Sequence, residues 1–291
     1  MATCTWIGTD TGNEGDWATA ANWSGASVPA NDDDVYLTNS SQSVTEGFAQ
    51  SAVTLASLTI DQSFTGAIGD STSYLAINAT LVDIGKNDGF STPSGSGRIK
   101  LNLGTVVSTV TIHNTSSSST DTDKEPVRIL ATKDTTVIRV KKGRVGIATD
   151  APGETSSLAS VYCDYVSSKT TDSDVRIGSG VTLVSYYQTG GEGVLACAAT
   201  TVSVSGGTLT TTGTGAITTL NTTGTGIAIG NSTGAITTAN TGGTLDMLQS
   251  TAARAITTAN MQKGGNLKYN PDIVTAAIGN DPLVSLSVKA A

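Results

Sequence analysis

The sequence predicts an all-β protein: a parallel β-helix, or β-solenoid, with rungs of about 20 residues and a Trp-rich N-terminal cap. Three observations carry this expectation. AITT recurs in GAITTLN (215–221), GAITTAN (234–240) and RAITTAN (254–260), so Ile217, Ile236 and Ile256 follow one another at intervals of 19 and 20. An offset series, GGTL (206–209), GTGI (224–227), GGTL (242–245) and GGNL (264–267), puts Leu209, Ile227, Leu245 and Leu267 at intervals of 18, 18 and 22. Elsewhere apolar and polar residues alternate between clusters of Gly, Asn, Asp and Ser, the period-2 pattern of half-buried strands joined by turns.

Composition agrees and narrows the function. Charged residues are only 14% and aromatics 4% of the 291 residues, and no stretch carries the Leu, Glu, Lys and Arg of an amphipathic helix. High β-branched content excludes a disordered chain. A net charge of −8 argues against nucleic acid or an anionic membrane as partner. No Sec-type signal and no apolar run of spanning length is visible. Cys4, Cys163 and Cys197 are odd in number and far apart, which reads as reduced thiols packed as small apolar side chains. The Asn-x-Ser/Thr triplets are read as chance products of a Ser/Thr-rich chain.

In chain order, residues 1–50 hold all three tryptophans, Trp6, Trp17 and Trp23. A solenoid end exposes core and strand edge unless it is covered, so these rings are expected to plug the first rung; a separate small lobe is the alternative. Residues 51–270 carry the strands: VTLASLTI (53–60), YLAINATLVDI (74–84), RIKLNLGTVVSTVTI (98–112), VRILATKDTTVIRVKKGRVGIAT (127–149), VYCDYV (161–166), VRIGSGVTLVSYY (175–187), VLACAATTVSVSG (194–206) and the repeats. Val, Ile and Leu should face inward, with Thr, Ser and Asn outward or at corners. Polar stretches 114–126 and 150–157 read as exposed loops. Residues 271–291, broken by Pro271 and Pro282, form a C-terminal cap or an arm that adds a strand to a neighbour.

Candidate chemistry is sparse. His113 ends a strand without a nucleophile elbow, so it reads as structural. Asp32, Asp33 and Asp34 fit no calcium-loop spacing and read as a turn before a strand. Asp172 and Asp174 beside Arg176, with Tyr162, Tyr165, Tyr186 and Tyr187 nearby, are the best imitation of the paired carboxylates of β-helical polysaccharide lyases and hydrolases. Lys124, Arg128, Lys133, Arg139, Lys141, Lys142 and Arg144 oppose only Glu125 and Asp134, a basic island read as a docking face for an acidic protein surface or as a solvated flank. No catalytic, cofactor or metal site is expected. The residues expected to contact a partner are Trp6, Trp17, Trp23, Arg139, Lys141, Lys142 and Arg144.

Trp6, Gly8, Trp17, Ala20, Asn22, Trp23, Pro29, Asp33, Asp34 and Val35 form a string that resembles the lead-in of bacterial autotransporter-like and phage-encoded β-helix proteins. The likeness is confined to the stretch that ends at Val35; beyond it the match is one of texture. Autotransporter passengers follow a signal peptide and precede a membrane barrel, and neither is visible here, so the resemblance implies a virion component. On that basis the expectation is a non-enzymatic capsid decoration protein, a homo-oligomer (a trimer is favoured) bound to the major capsid protein or another virion protein. The alternatives are a surface adhesin or receptor-binding fibre, and a polysaccharide lyase or hydrolase.

Overall fold

The computed structural model describes residues 2–86, 98–115, 125–164, 173–249 and 252–279, with Ser173 and Asp174 described in backbone only. Among these residues there is no α-helix. The one helical turn is a 3-10 turn at Ala20–Asn22, and 22 β-strands carry the fold, whose ladders are parallel as the sequence predicts. The chain divides into two compact units, Met1–Leu158 and Ala159–Ala291.

The first unit contains β1 (Thr3–Thr5), β2 (Asp34–Leu37), β3 (Ala49–Asp61), β4 (Leu75–Lys86), β5 (Ile99–Leu103), β6 (Thr109–Ile112), β7 (Val127–Ala131), β8 (Val137–Val140) and β9 (Gly143–Ile147). One ladder runs β1–β2–β3–β4–β6–β8, and a second runs β5–β7–β9 from the start of β4. Apolar residues stack in columns, each member shielding the next. Val35, Leu58, Val82, Val110 and Ile138 form one buried column; Leu37, Ile60, Ile84, Ile112 and Val140 form another. Each such side chain contributes about 1.5–3 kcal/mol by leaving water. Successive members of the first column stand further apart in sequence than the predicted rung length, because turns and loops are inserted between strands. Strands β1 and β2 belong to the same ladder as β3, so the strands of the segment 1–50 are continuous with the rest of the first unit.

Strand β10 (Ser156–Cys163) runs through the boundary, and the second unit continues with β11 (Ser173–Ile177), β12 (Val181–Gln188), β13 (Glu192–Leu195), β14 (Ala199–Val204), β15 (Thr208–Thr211), β16 (Ile217–Thr222), β17 (Ile227–Gly230), β18 (Ile236–Thr241), β19 (Thr244–Asp246), β20 (Arg254–Met261), β21 (Asn266–Lys268) and β22 (Val274–Gly279). Each rung has two strands, so even-numbered strands from β12 form one ladder and odd-numbered strands from β11 the other. Ile217, Ile236 and Ile256 share one buried column, as their spacing predicts. Strand β22 extends this ladder into the segment read as a terminal cap or arm; residues 280–291 lie outside the described set.

The offset series needs a correction. Leu209, Leu245 and Leu267 are buried, but the residue between them is Ala228 at 1% exposure, while Ile227 points outward at 37%. Gly226 explains the slip: a Cβ there would lie 2.2 Å from the Val204 carbonyl, so the motif glycine is held by backbone contact and Ile227 takes the outward phase. A second departure is that Thr222 and Thr241 face inward, in a column with Val204 and Met261, although Thr is expected outward or at corners.

One buried cation also belongs to the core. The Arg254 guanidinium donates to the carbonyls of Ser232, Gly230 and Met247 (3.1 Å to the last), clipping the corner of the preceding rung.

Candidate functional site

The N-terminal tryptophans form a closed cluster. Trp17 and Trp23 meet edge to face at 4.6 Å, Trp6 and Trp23 at 5.1 Å, and Trp6 lies 6.4 Å from Trp17. Their indole N–H groups are used internally: Trp23 Nε1 donates to the Trp17 carbonyl at 2.7 Å and Trp6 Nε1 to that of Gln42 at 2.9 Å. Each ring is 1% exposed, so the aromatic faces are core and present no surface to a partner. The rest of the string also does structural work. Buried Asn22 donates to the carbonyls of Asn13 and Asp16 and accepts from the Asp10 N–H, folding the 10–16 loop. Asp33 accepts the N–H groups of Ala2 and Ala30, which holds its carboxyl below the usual range. Trp23 and Ser24 bridge to Thr5 and Trp6, covering an edge of β1.

The basic island does not survive as one surface. Lys124 lies outside the described residues. Arg128 is 1% exposed, and Lys133 Nζ turns back to the Val106 carbonyl at 3.3 Å. What remains is a corner between β8 and β9: Arg139 and Arg144 half-buried, Lys142 half-buried, and Lys141 exposed. Gly143 makes this corner possible, since it has φ +106° and a Cβ would stand 1.9 Å from Thr115 Oγ1.

Arg128 instead joins a dry ionic cluster that sequence reasoning missed. Lys100 and Arg128 are ladder partners on the outward side of β5 and β7, where two cations side by side demand an anion. The loop after β9, read from sequence as exposed, folds over them and supplies it. Asp150 takes Lys100 Nζ on Oδ2 at 2.6 Å and Arg128 Nη1 on Oδ1 at 2.7 Å. Glu154 accepts from the Asp150 N–H and the Tyr74 hydroxyl, both at 2.8 Å, and the Tyr74 ring lies 4.4 Å from Lys100 Nζ. Burial, then the Glu154 carboxylate, pushes the Tyr74 phenol well above its ordinary pKa. The opposite cover is the Asp70–Tyr74 turn, whose Ser71 carbonyl accepts from Lys100 Nζ at 3.3 Å. The available sequence signal was a lysine inside RIKLNL, between core residues of one strand.

In the second unit, the even-numbered ladder presents two regular outward columns. Ser185, Thr201, Thr219, Thr238 and Thr258 form one; Tyr187, Ser203, Asn221, Asn240 and Asn260 form the other. The amides make a one-directional chain: Asn260 Nδ2 donates to Asn240 Oδ1 at 2.9 Å, Asn240 to Asn221 at 2.8 Å, and Asn221 to Ser203 Oγ at 3.2 Å. Thr200, Thr218, Thr237 and Thr257 add exposed hydroxyls on the same strands. Neighbouring rungs are about 4.8 Å apart and alternate residues about 6.6 Å apart, so the columns define a regular lattice of hydroxyls and amides. Strands β14, β16 and β18 contain no charged residue. Tyr162 and Tyr187 stack at 4.8 Å at its head.

The remaining candidates have local uses. His113 Nε2 lies 2.7 Å from Asp83 Oδ1 on the neighbouring rung, a half-exposed cross-strand pair. Asp34 accepts the Ser57 hydroxyl, and Asp32 occupies a turn at φ +65°. Asp172 and Tyr165 lie outside the described residues, and only the backbone of Asp174 is described. An open groove of about 320 Å³ in the first unit is lined by Ser51, Asn78, Asn102, Thr105 and Thr132, with the Asn78 amide engaged to the Ser51 carbonyl. Among the described residues no group of three or more His, Cys, Asp or Glu side chains is arranged to hold a metal. Compared with known proteins, the chain matches no family model, no curated protein and no solved structure.

Proposed function

We propose that this chain is a non-enzymatic virion structural protein, a decoration protein that lies against the outer surface of a capsid and reinforces it as a homo-oligomer. The observation that carries the reading is the regular Thr/Ser/Asn lattice on β12, β14, β16, β18 and β20. A rigid face whose polar groups are already ordered loses little conformational entropy when it is covered. Such a face supplies hydrogen-bonding groups at regular intervals to an extended protein surface. The Arg139, Lys141, Lys142 and Arg144 corner offers a second, electrostatic contact to an acidic shell. A receptor-binding fibre is the second reading, favoured by the stacked Tyr162–Tyr187 pair, because stacked rings at a surface suit a sugar face.

The test is cosedimentation of purified protein with undecorated shells over a range of salt. Saturable, stoichiometric binding that changes little with salt is expected for the uncharged lattice. Steep loss with salt would assign the contact to the cationic corner. No binding, together with absence from virions by mass spectrometry, would overturn the proposal, and glycan-array binding in its place would favour the fibre.

A further inference from the structure

We propose that Lys100 and Asp150 condense to an intramolecular isopeptide bond, a covalent staple between β5 and the loop that follows β9. The reacting groups are already in contact, with Nζ 2.6 Å from Oδ2, and their side chains are 0% and 5% exposed. Holding amine and carboxyl together in one dry site replaces a bimolecular encounter by an intramolecular step and keeps out the water that would reverse it. The other carboxylate oxygen, Oδ1, receives Arg128 Nη1 at 2.7 Å. That is the oxygen on which negative charge grows when Nζ adds to Cγ, so the guanidinium stands where an oxyanion donor is required.

The step balances without any co-reactant. The ammonium gives up two protons, the Nζ–Cγ bond forms, the Cγ–Oδ2 bond breaks, and Oδ2 departs with both protons as water. One positive and one negative charge disappear together. Glu154 is a positioning residue for this step. It holds the Asp150 N–H and the Tyr74 hydroxyl, and the Tyr74 ring borders Lys100 Nζ.

The product also suits its surroundings better than the ion pair does. A buried ammonium has three N–H donors, and its oxygen partners are Asp150 Oδ2 and the Ser71 carbonyl, with the Tyr74 ring on a further side. An amide has one N–H, which the Ser71 carbonyl accepts, and one carbonyl oxygen, which Arg128 satisfies. Desolvated charge is exchanged for a neutral, hydrogen-bonded amide.

Intact-mass measurement of the denatured full chain decides the matter on the wild type alone. The expected mass is one water below that of the sequence. A tryptic digest should resist cleavage after Lys100 and yield a branched peptide joining Lys100 to Asp150. Lys100→Arg and Asp150→Ala should restore the full mass, and Glu154→Gln should slow linkage after refolding with an unchanged circular dichroism spectrum. A wild type at full sequence mass, cleaved normally after Lys100, would show that the pair stays ionic and would overturn the proposal. Linkage at an undiminished rate in Glu154→Gln would overturn the role given to Glu154.

Discussion

Thr222 and Thr241 point into the second unit's core, and their hydroxyls are among the buried polar atoms with no hydrogen-bond partner. A buried hydroxyl without a partner costs about 1–3 kcal/mol, so Thr241→Val, nearly equal in volume, should raise stability by about 1 kcal/mol. A urea midpoint that rises supports this; one that falls means the hydroxyl is satisfied in solution. Two carboxylates with depressed pKa values are expected to contribute to the acid stability of the first unit. The N–H groups of Thr72 and Ser73 hold Asp70 at about 2, against an ordinary 3.8, and those of Ala2 and Ala30 depress Asp33. A depressed folded-state pKa gives stability that is complete above the ordinary value and is lost as pH falls through the folded one. Tryptophan emission from the cluster beside β1 should therefore stay constant above pH 3.8 and shift to the red as pH falls toward 2. A shift starting well above pH 3.8 would contradict the assignment. The Thr orphans left no signal in sequence, and the Lys100–Asp150–Arg128 cluster left only the lysine inside RIKLNL. Side-chain type predicts an average environment, whereas these environments are made by a ladder partner or by a loop from elsewhere in the stack.

At the scale of the element, strand parity is decisive, because shifting by one position exchanges core for surface. Ile227→Thr should alter stability by no more than about 0.5 kcal/mol, since Ile227 faces solvent. Ala228→Thr should cost about 1–3 kcal/mol by forcing extra volume and a hydroxyl into a filled column. Thermal melts of the two variants check this, and equal losses would mean the register is wrong. Sequence spacing located the Ile217, Ile236 and Ile256 column correctly, because the AITT motif repeats its own phase in every copy. It misplaced Ile227, because the aligning feature there was glycine, which marks a backbone approach and says nothing about which neighbour faces in. The Asn ladder was visible in principle: Asn221, Asn240 and Asn260 hold the same place in the three repeats. The first unit showed no period in sequence, since the length of its rungs varies with the loops between strands.

For the whole molecule, the contrast between outward faces carries the functional reading. Along the first unit's long ladder the outward positions change character at every rung, from Tyr36 through Thr59, Asp83 and Thr111 to Arg139. The second unit repeats Thr and Asn with little variation. Core packing alone would leave the outward positions free to vary, so their uniformity is better explained by a surface that covers them. The sequence predicts that Trp6, Trp17 and Trp23 plug the first rung and also meet a partner; their burial against one another leaves no exposed ring for that contact, so the expected contact moves to the lattice. The direct measurement is shell binding by Thr238→Lys, which places an ammonium within the lattice, compared with the wild type under the same conditions. A desolvated, unpaired charge should weaken binding by tenfold or more, about 1.4 kcal/mol, with an unchanged melting temperature. Undiminished binding by this variant would contradict the claim that the Thr/Asn face is the surface that meets the capsid.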